Sequence, residues 1–412
     1  MTPEIKHRIG QIRRGEMPEG YNRVRDSIIP SDWKQYCLGE LGENKNGLNF
    51  HREDKGIKIR ILGVGDFGNL SVLRDLNALS EISMRFMPDD ELLLKNGDIV
   101  FVRSNGSKEL VGRNLLVYPQ NEKVSFSGFC IRFRLSSDKI TTAEYINLLL
   151  DNGVLKQKLQ SENQGSNISN LNQSIIDNLQ ISIPCKGEQQ KIVAILTTQD
   201  KVIELKEKRL AEKQRQKKYL VQQLLAGKKR LPGFAFEVEK TNIKAISTYS
   251  VSTISQTMLE SYEGKQLYPV FNANSIAGYV DFYENECPYI SIIKDGAGIG
   301  RVRLCEAKSS TIGTMGCIHA RKGISIIFLY YLLEQVDFNK YSNGSTIPHL
   351  YYKDYSCEKV RIPDIKEQAA IAEVLSTADR EIELLQQDIE QEKQKKKALM
   401  QLLLTGIVRV KT

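Results

Sequence analysis

The chain contains one segment twice. At a fixed offset of 179 residues and without a gap, "IPCKGEQQKIVAILTTQDKVIEL" (183–205) lies over "IPDIKEQAAIAEVLSTADREIEL" (362–384), and "KKYLVQQLLAG" (217–227) over "KKALMQLLLTG" (396–406). Between 183 and 227, 18 of 45 positions are identical, a register that marks a duplication. "GSNISNL" (165–171) lies over "GSTIPHL" (344–350) at the same offset. The repeated unit reads as a long helix. Pro184 and Pro363 stand just before its start, and Glu188 and Glu367 fall in the first turn, where the helix dipole favours a carboxylate. Gly227 and Gly406 close it.

Between those ends runs a seam with positions alternately four and three apart. The first copy has Ile192, Leu196, Gln199, Ile203, Lys206, Leu210, Lys213, Lys217, Leu220 and Leu224. The second has Ile371, Leu375, Ala378, Ile382, Leu385, Ile389, Glu392, Lys396, Leu399 and Leu403. This is a heptad pattern sustained for about five repeats. A helix of about 36 residues is roughly 54 Å long, and its seam needs a partner. The economical arrangement packs the two copies on each other, antiparallel because globular segments flank them. The alternative lays each helix on its own module. The run Lys213, Arg215, Lys217, Lys218 reads as a solvated face.

The segments ahead of the helices, 31–187 and 231–365, share a closing G-S-x-I-x-x-L…I-P pattern and little else. Both consist of short β-like runs broken by Gly, Asn and Ser, such as "NGDIVFVRSNG" and "PYISIIKDGAGIGRVRL". Each then ends in an apolar helical stretch, "AEYINLLLDNGVLKQKL" or "IIFLYYLLEQVDF". The expected fold is therefore α+β. Two globular α/β modules are separated and joined by two long helices in an antiparallel coiled coil, with an internal pseudo-two-fold duplication. The expected order is an N-terminal arm (1–30), a first module (31–187), a central helix (188–230), a second module (231–365) and a C-terminal helix (366–412).

A formal charge of +8 points to a polyanionic partner. The longest apolar run, Ile324 to Leu333, is half of what a bilayer requires. The first residues carry no secretory h-region. Cysteines 37, 130, 185, 287, 305, 317 and 357 never form C-x-x-C and read as reduced thiols of a cytosolic protein. The chain has no Asn/Asp-Pro-Pro-aromatic methyltransferase signature, no P-loop, no H-x-E with C-x-x-C and no G-x-S-x-G. Four histidines (7, 51, 319, 349) are too scattered for most acid–base or metal schemes. "CIH" (317–319) reads as a buried thiol and a structural imidazole rather than a zinc corner. "ILGVGDFG" (61–68) fits G-x-G-x-x-G, yet Pro88 breaks the βαβ unit that a nucleotide site needs, and no second half follows. Gly63, Gly65 and Gly68 are read as turn glycines, with Asp66 and Asn69 as loop residues beside them.

In this order the fragments resemble the specificity subunits of Type I restriction-modification systems, over nearly the whole chain. "SIIPSDW" (27–33), ending on the only tryptophan, Trp33, is similar to that family's lead-in to its first module. "LKNGDIVFVRSNG" (94–106), "YPVFNANSIAGYVDFY" (268–283) and "RLPGF" (230–234) are similar to further family stretches, as are the duplicated I-P-x-x-x-E-Q-x-x-I helices. One departure is the lack of a second such tryptophan; Phe234 or Phe236 stands nearby, which leaves the boundary near 231–240 open. The resemblance implies a non-catalytic DNA-specificity subunit used in phage defence, in the cytoplasm and at the nucleoid. Each module would be a target recognition domain reading half of a bipartite site in double-stranded DNA. The helices would set the spacer and dock two methyltransferase subunits for adenine N6 methylation, with restriction/translocase subunits joining through the complex. It implies no cofactor on this chain, S-adenosylmethionine belonging to the methyltransferase, and no membrane. A Type IIB-like recognition subunit shares the plan, and a nucleotide-dependent enzyme using Gly63–Gly68 is the remaining alternative.

Reading DNA takes donors and acceptors on loops, with basic residues around them. In the first module Arg103, Ser104, Asn105, Lys108, Arg113 and Asn114 qualify; in the second, Asn272, Asn274, Ser275, Lys294 and Arg301. Arginine suits guanine and asparagine suits adenine. The competing reading for each is a polar hairpin turn.

Overall fold

A computed structural model of the chain describes residues 3–24, 27–50, 56–68, 70–107, 109–153, 155, 159, 171–234, 238–296, 298–344 and 347–410. The chain forms two compact units, Met1–Leu205 with Glu390–Thr412, and Lys206–Ile389. Each long helix therefore contributes residues to both.

In the first unit a five-stranded sheet runs in the order Gly42–Asn46, Cys130–Leu135, Asp98–Val102, Asn114–Val117, Val72–Leu73. All pairs are antiparallel except the last, which is parallel. Side chains alternate across a strand. Ile131 and Phe133 of "CIRFRL" thus join the helix Ala143–Leu150 and Ile192 and Leu196 of the first long helix in one cluster. Cys130 packs on the opposite face with Phe67, Val100, Val102 and Phe126. A three-stranded sheet, Val124–Phe126, Ile57–Leu62, Ser80–Met84, carries one parallel pair.

The second unit repeats this plan with unrelated residues. Its larger sheet runs Ser247–Val251, Met315–Ala320, Tyr289–Ile293, Val302–Cys305, all antiparallel. Its smaller sheet, Ile276–Val280, Tyr268–Phe271, Ser310–Thr311, again has one parallel pair. The helix Ile326–Glu334 covers the larger sheet through Phe328, Leu329 and Leu333, against Ile290, Ile318, Ile371 and Leu375. Two modules that share little sequence therefore have one topology, apart from the parallel edge strand Val72–Leu73, which has no counterpart in the larger sheet of the second unit. Sheet order depends on where apolar faces fall, not on which apolar residue fills them.

The long helices are Lys186–Leu224 and Ile365–Leu403, 39 residues each. No helix among the described residues is long and apolar enough to cross a membrane. Every seam position from Ile192 to Leu224 and from Ile371 to Leu403 is buried or half-buried. Polar seam positions are paired across the helices. In the first unit Gln199 Nε2 donates to Glu392 at 2.6 Å, and Lys396 reaches Asp200 at 2.6 Å. In the second, Lys206 meets Asp388 at 2.8 Å, Lys213 meets Glu381 at 2.6 Å and Lys217 meets Asp379 at 2.5 Å. Residue numbers rise along one helix as they fall along the other, so the pair is antiparallel. The run Lys213–Lys218 is not a solvated face throughout, as the sequence led us to expect. Lys213 and Lys217 bond across the seam, and only Arg215, paired with Glu212 of its own helix, and Lys218 face outward.

The duplicated Glu-Gln pair at each helix start has a definite task. Glu188 and Glu367 are each 1% exposed. Glu188 receives Arg409, at 2.8–2.9 Å through two nitrogens, and Glu367 receives Arg230 in the same forked way. Arg230 and Arg409 are themselves 179 residues apart. The tail that leaves one long helix thus locks the start of the other. Gln189 Nε2 donates to the carbonyls of Pro184 and Ile140, and Gln368 Nε2 to those of Pro363 and Gly323. Arg409 also grips Asp32 at 2.7–2.8 Å and lies 6.0 Å over the Trp33 ring. The forked hydrogen bonds raise the Arg409 pKa further and hold the Asp32 carboxyl below the usual carboxylate range. Trp33 directly precedes the strand Lys34–Cys37, and the residue directly before the matching strand Glu239–Asn242 is Val238. Phe234 is half-buried; Phe236 lies outside the described residues.

Gly227 and Gly406 both close a helix in the left-handed region, at φ +63° and +72°. A Cβ on Gly227 would meet nothing nearer than Arg361 Cδ at 3.7 Å, whereas one on Gly406 would strike Pro30 Cγ at 2.4 Å. Gly227→Ala is therefore expected to cost about 1–2 kcal/mol from backbone strain alone. Gly406→Ala adds a clash against a rigid ring and should cost clearly more. Urea unfolding of the two variants checks the order.

Candidate nucleic-acid interface

In the first unit the candidate residues belong to the connection between strands Asp98–Val102 and Asn114–Val117. The amides of Arg103 and Ser104 both donate to the Phe129 carbonyl, at 2.8 and 3.3 Å, and the Arg103 carbonyl accepts from Leu171. Arg103 Nη1 reaches the Gly128 carbonyl at 3.4 Å, which aims the guanidinium along the turn at 127–130. Asn105 Oδ1 accepts from the Ser107 amide at 2.9 Å, an Asx turn that holds the tip. Arg113 is half-buried after Gly112, whose φ of +80° lets the chain re-enter the sheet. Lys108 lies outside the described residues.

Asn114 belongs to the core. It is 4% exposed, and its amide nitrogen donates to the side chain of Asn147 at 2.9 Å. Asn147 in turn donates to the Ser71 carbonyl. A buried amide pair of this kind satisfies itself inside the module, so Asn114 leaves the reading set. Phe129 enters the picture instead: its carbonyl ties the loop and its ring is 63% exposed beside it. The only sequence signal for it was the "SGFC" turn.

The second unit brings its candidates together. Asn272 Oδ1 accepts from the amides of Asn274 and Ser275, at 2.9 and 2.8 Å, so Asn272 shapes the turn. Asn274 and Ser275 are exposed at its tip. Arg301 Nη2 donates to Asn274 Oδ1 at 3.2 Å, which links this turn to the glycine-rich loop 294–301. Lys294 lies at that loop's start and donates to Asp295 at 2.5 Å. Partial burial pushes the Asp295 carboxyl up, but hydrogen bonds from Lys294 and His349 outweigh it and hold the group below its ordinary value. Sequence reasoning passed over Asp295 and His349, which lie 54 residues apart.

Two other motifs have structural roles. Cys317 and His319 share one strand face; Cys317 lies 3.3 Å from the Thr311 hydroxyl and His319 Nε2 lies 3.2 Å from the Ser250 hydroxyl. Burial pushes the Cys317 thiol up to about 11 and lowers the His319 pKa. The "GVGDFG" stretch follows the strand Ile57–Leu62 as a four-residue 3-10 turn, Val64–Phe67, with the Gly63 amide donating to Asp66 at 2.7 Å. Only Gly68 of the three glycines has positive φ. Strands Val72–Leu73 and Ser80–Met84 follow this stretch, so no crossover helix of a dinucleotide unit stands there among the described residues. Asn69 lies outside the described residues.

Residues 30–214 and 237–394 match the family described as "Type I restriction modification DNA specificity domain". The chain is 22% identical over 439 residues to the type I restriction enzyme MjaVIII specificity subunit of Methanocaldococcus jannaschii, covering 95% of this chain and 97% of that one. It is 31% identical over 178 residues to the StySPI specificity subunit of Salmonella potsdam, covering 41% of this chain and 36% of that one. Its fold is similar to the crystal structure of the Type-I restriction-modification system S subunit from M. genitalium, with a TM-score of 0.59 at 15% identity, covering 96% of this chain and 99% of that one. With the family match spanning both modules and most of both long helices, the chain belongs to the specificity subunits of Type I restriction-modification systems.

Proposed function

We propose that each unit reads one half of a bipartite DNA target, and that the paired helices set the spacer and dock two methyltransferase subunits. The observation that carries this reading is one topology built twice from dissimilar residues, on helices that are themselves duplicated. Alike frames suit equivalent docking, and unlike loops suit two different half-sites. Arg103, Ser104, Asn105, Lys108 and Arg113 serve the first half-site. Asn274, Ser275, Arg301 and Lys294 serve the second, with Asn272 shaping their turn. Methyl transfer to adenine N6, and the S-adenosylmethionine it consumes, belong to the partner subunits, and restriction subunits join through the assembled complex. This chain supplies recognition in the cytoplasm, at the nucleoid.

Exchange of residues 31–187 for another module, followed by sequencing of methylated sites in cells that carry the methyltransferase partner, tests the reading. One half of the modified motif should change while the other half and the spacer persist. A motif that stays whole after the exchange sinks it.

A further inference from the structure

We propose that His349 presents its Nε2 as a hydrogen-bond acceptor to the exocyclic amino group of one base, adenine N6 or cytosine N4, in the half-site read by the second unit. This rests on the reading of the second unit as a recognition module and names a subsite within it. His349 Nδ1 lies 2.8 Å from Asp295 Oδ1. Asp295 is ionised, since Lys294 and His349 hold its carboxyl below its ordinary value despite partial burial. An ionised carboxylate only accepts, so Nδ1 carries the proton that faces Asp295, and the tautomer this geometry selects has its lone pair on Nε2.

The ring is held for this task. The Leu350 amide donates to the Lys294 carbonyl at 2.8 Å, and the Gly296 amide donates to the Pro348 carbonyl at 3.0 Å. Asp295 and His349 thus oppose each other in an antiparallel bridge. Tyr351 stacks on the imidazole with centroids 6.5 Å apart and planes 23° apart. The His349 side chain is still 43% exposed, and Nε2 takes no hydrogen bond from the described residues. The charged groups around the ring are Asp295, Lys294 on its far side, and Lys353 5.5 Å over the Tyr351 ring. The loop that carries Asp295 is fixed by Gly300, where a Cβ would strike Phe338 at 2.3 Å. Its other end carries Arg301, the donor joined to Asn274. A single loop therefore offers a donor at one end and orients an acceptor at the other. In the major groove, adenine and cytosine present an amino donor where thymine and guanine present an oxygen acceptor.

The test is methylated-motif sequencing with the full chain and its methyltransferase partner, for His349→Ala and Asp295→Asn. His349→Ala should relax one A- or C-requiring position of the second half-site by roughly tenfold and leave the first half-site untouched. In Asp295→Asn the amide oxygen stays on Lys294, which holds Oδ2 in the parent, so the NH2 faces Nδ1 and the ring proton moves to Nε2. Preference at the same position should then turn toward G or T. Intact modification with an unchanged motif in both variants overturns the proposal. So does an equal loss over all sequences, which marks a backbone contact or a folding role. If no half-site follows residues 231–365 when that module is exchanged, the recognition reading itself fails, separately from this subsite.

Discussion

Inserting seven residues into one long helix alone is expected to abolish modification, whereas matched insertions in both should lengthen the spacer by about three base pairs. The helices meet through residues that pair in reverse order, from Gln199–Glu392 and Asp200–Lys396 to Lys213–Glu381 and Lys217–Asp379. Seven residues between Leu205 and Lys206 alone shift one side of this ladder by a heptad. Either the inserted segment bulges or the pairs beyond it break. Insertions placed also between Ile389 and Glu390 keep every existing pair and the a/d phase. They add about 10.5 Å of helix at 1.5 Å per residue, and at 3.4 Å per base pair that is about three. Motif sequencing reads the outcome directly. A spacer that stays the same in the doubly lengthened protein would show that the helices do not set it.

The second large effect is on stability. Arg409→Ala should cost the first unit about 3 kcal/mol, the low end for breaking a buried ion pair. Glu188 is 1% exposed and Arg409 is its only cationic partner among the described residues, but the arginine side chain is itself 32% exposed, so water already screens part of the interaction. The variant leaves a carboxylate in the core with only the Val410 amide, at 3.2 Å, to satisfy it, and it frees Asp32 as well. For a unit of this size the loss should lower its melting temperature by roughly 6–12 °C, read by calorimetry as an earlier first transition. Adding Glu188→Gln removes the stranded charge and should recover part of the loss. If the single variant melts as the parent does, the clasp is ornamental.

The helices and their phase were legible because a heptad is a local signal: each seam residue announces its face through neighbours three and four positions away. The duplication supplied the rest, since a segment that occurs twice can pair with its own copy. It holds one further clue. The same offset maps Arg230 onto Arg409, and a repeated arginine beyond the closing glycine is a candidate partner for the repeated glutamate at the helix start. The fate of the lysine run was not legible. Lys213 and Lys217 carry the same charge as Lys218, and only the carboxylates of the opposing helix separate seam from solvent.

The candidate interface divides along similar lines. Glycines and short polar residues located the loops, because a chain that turns sharply needs them wherever it lies. Those residue types did not reveal which way a side chain points. Asn114 and Asn274 carry the same amide, yet one is sealed against Asn147 and the other stands exposed beside Arg301. His349 had no mark at all, because the aspartate that orients it is 54 residues away. By itself the sequence determined the period, the repeat and the places where the chain turns, all of which depend on near neighbours. Tertiary structure alone decided which polar groups are sealed inside the protein and which stay exposed, because hydrogen bonds and burial depend on residues brought together by the fold from far along the chain.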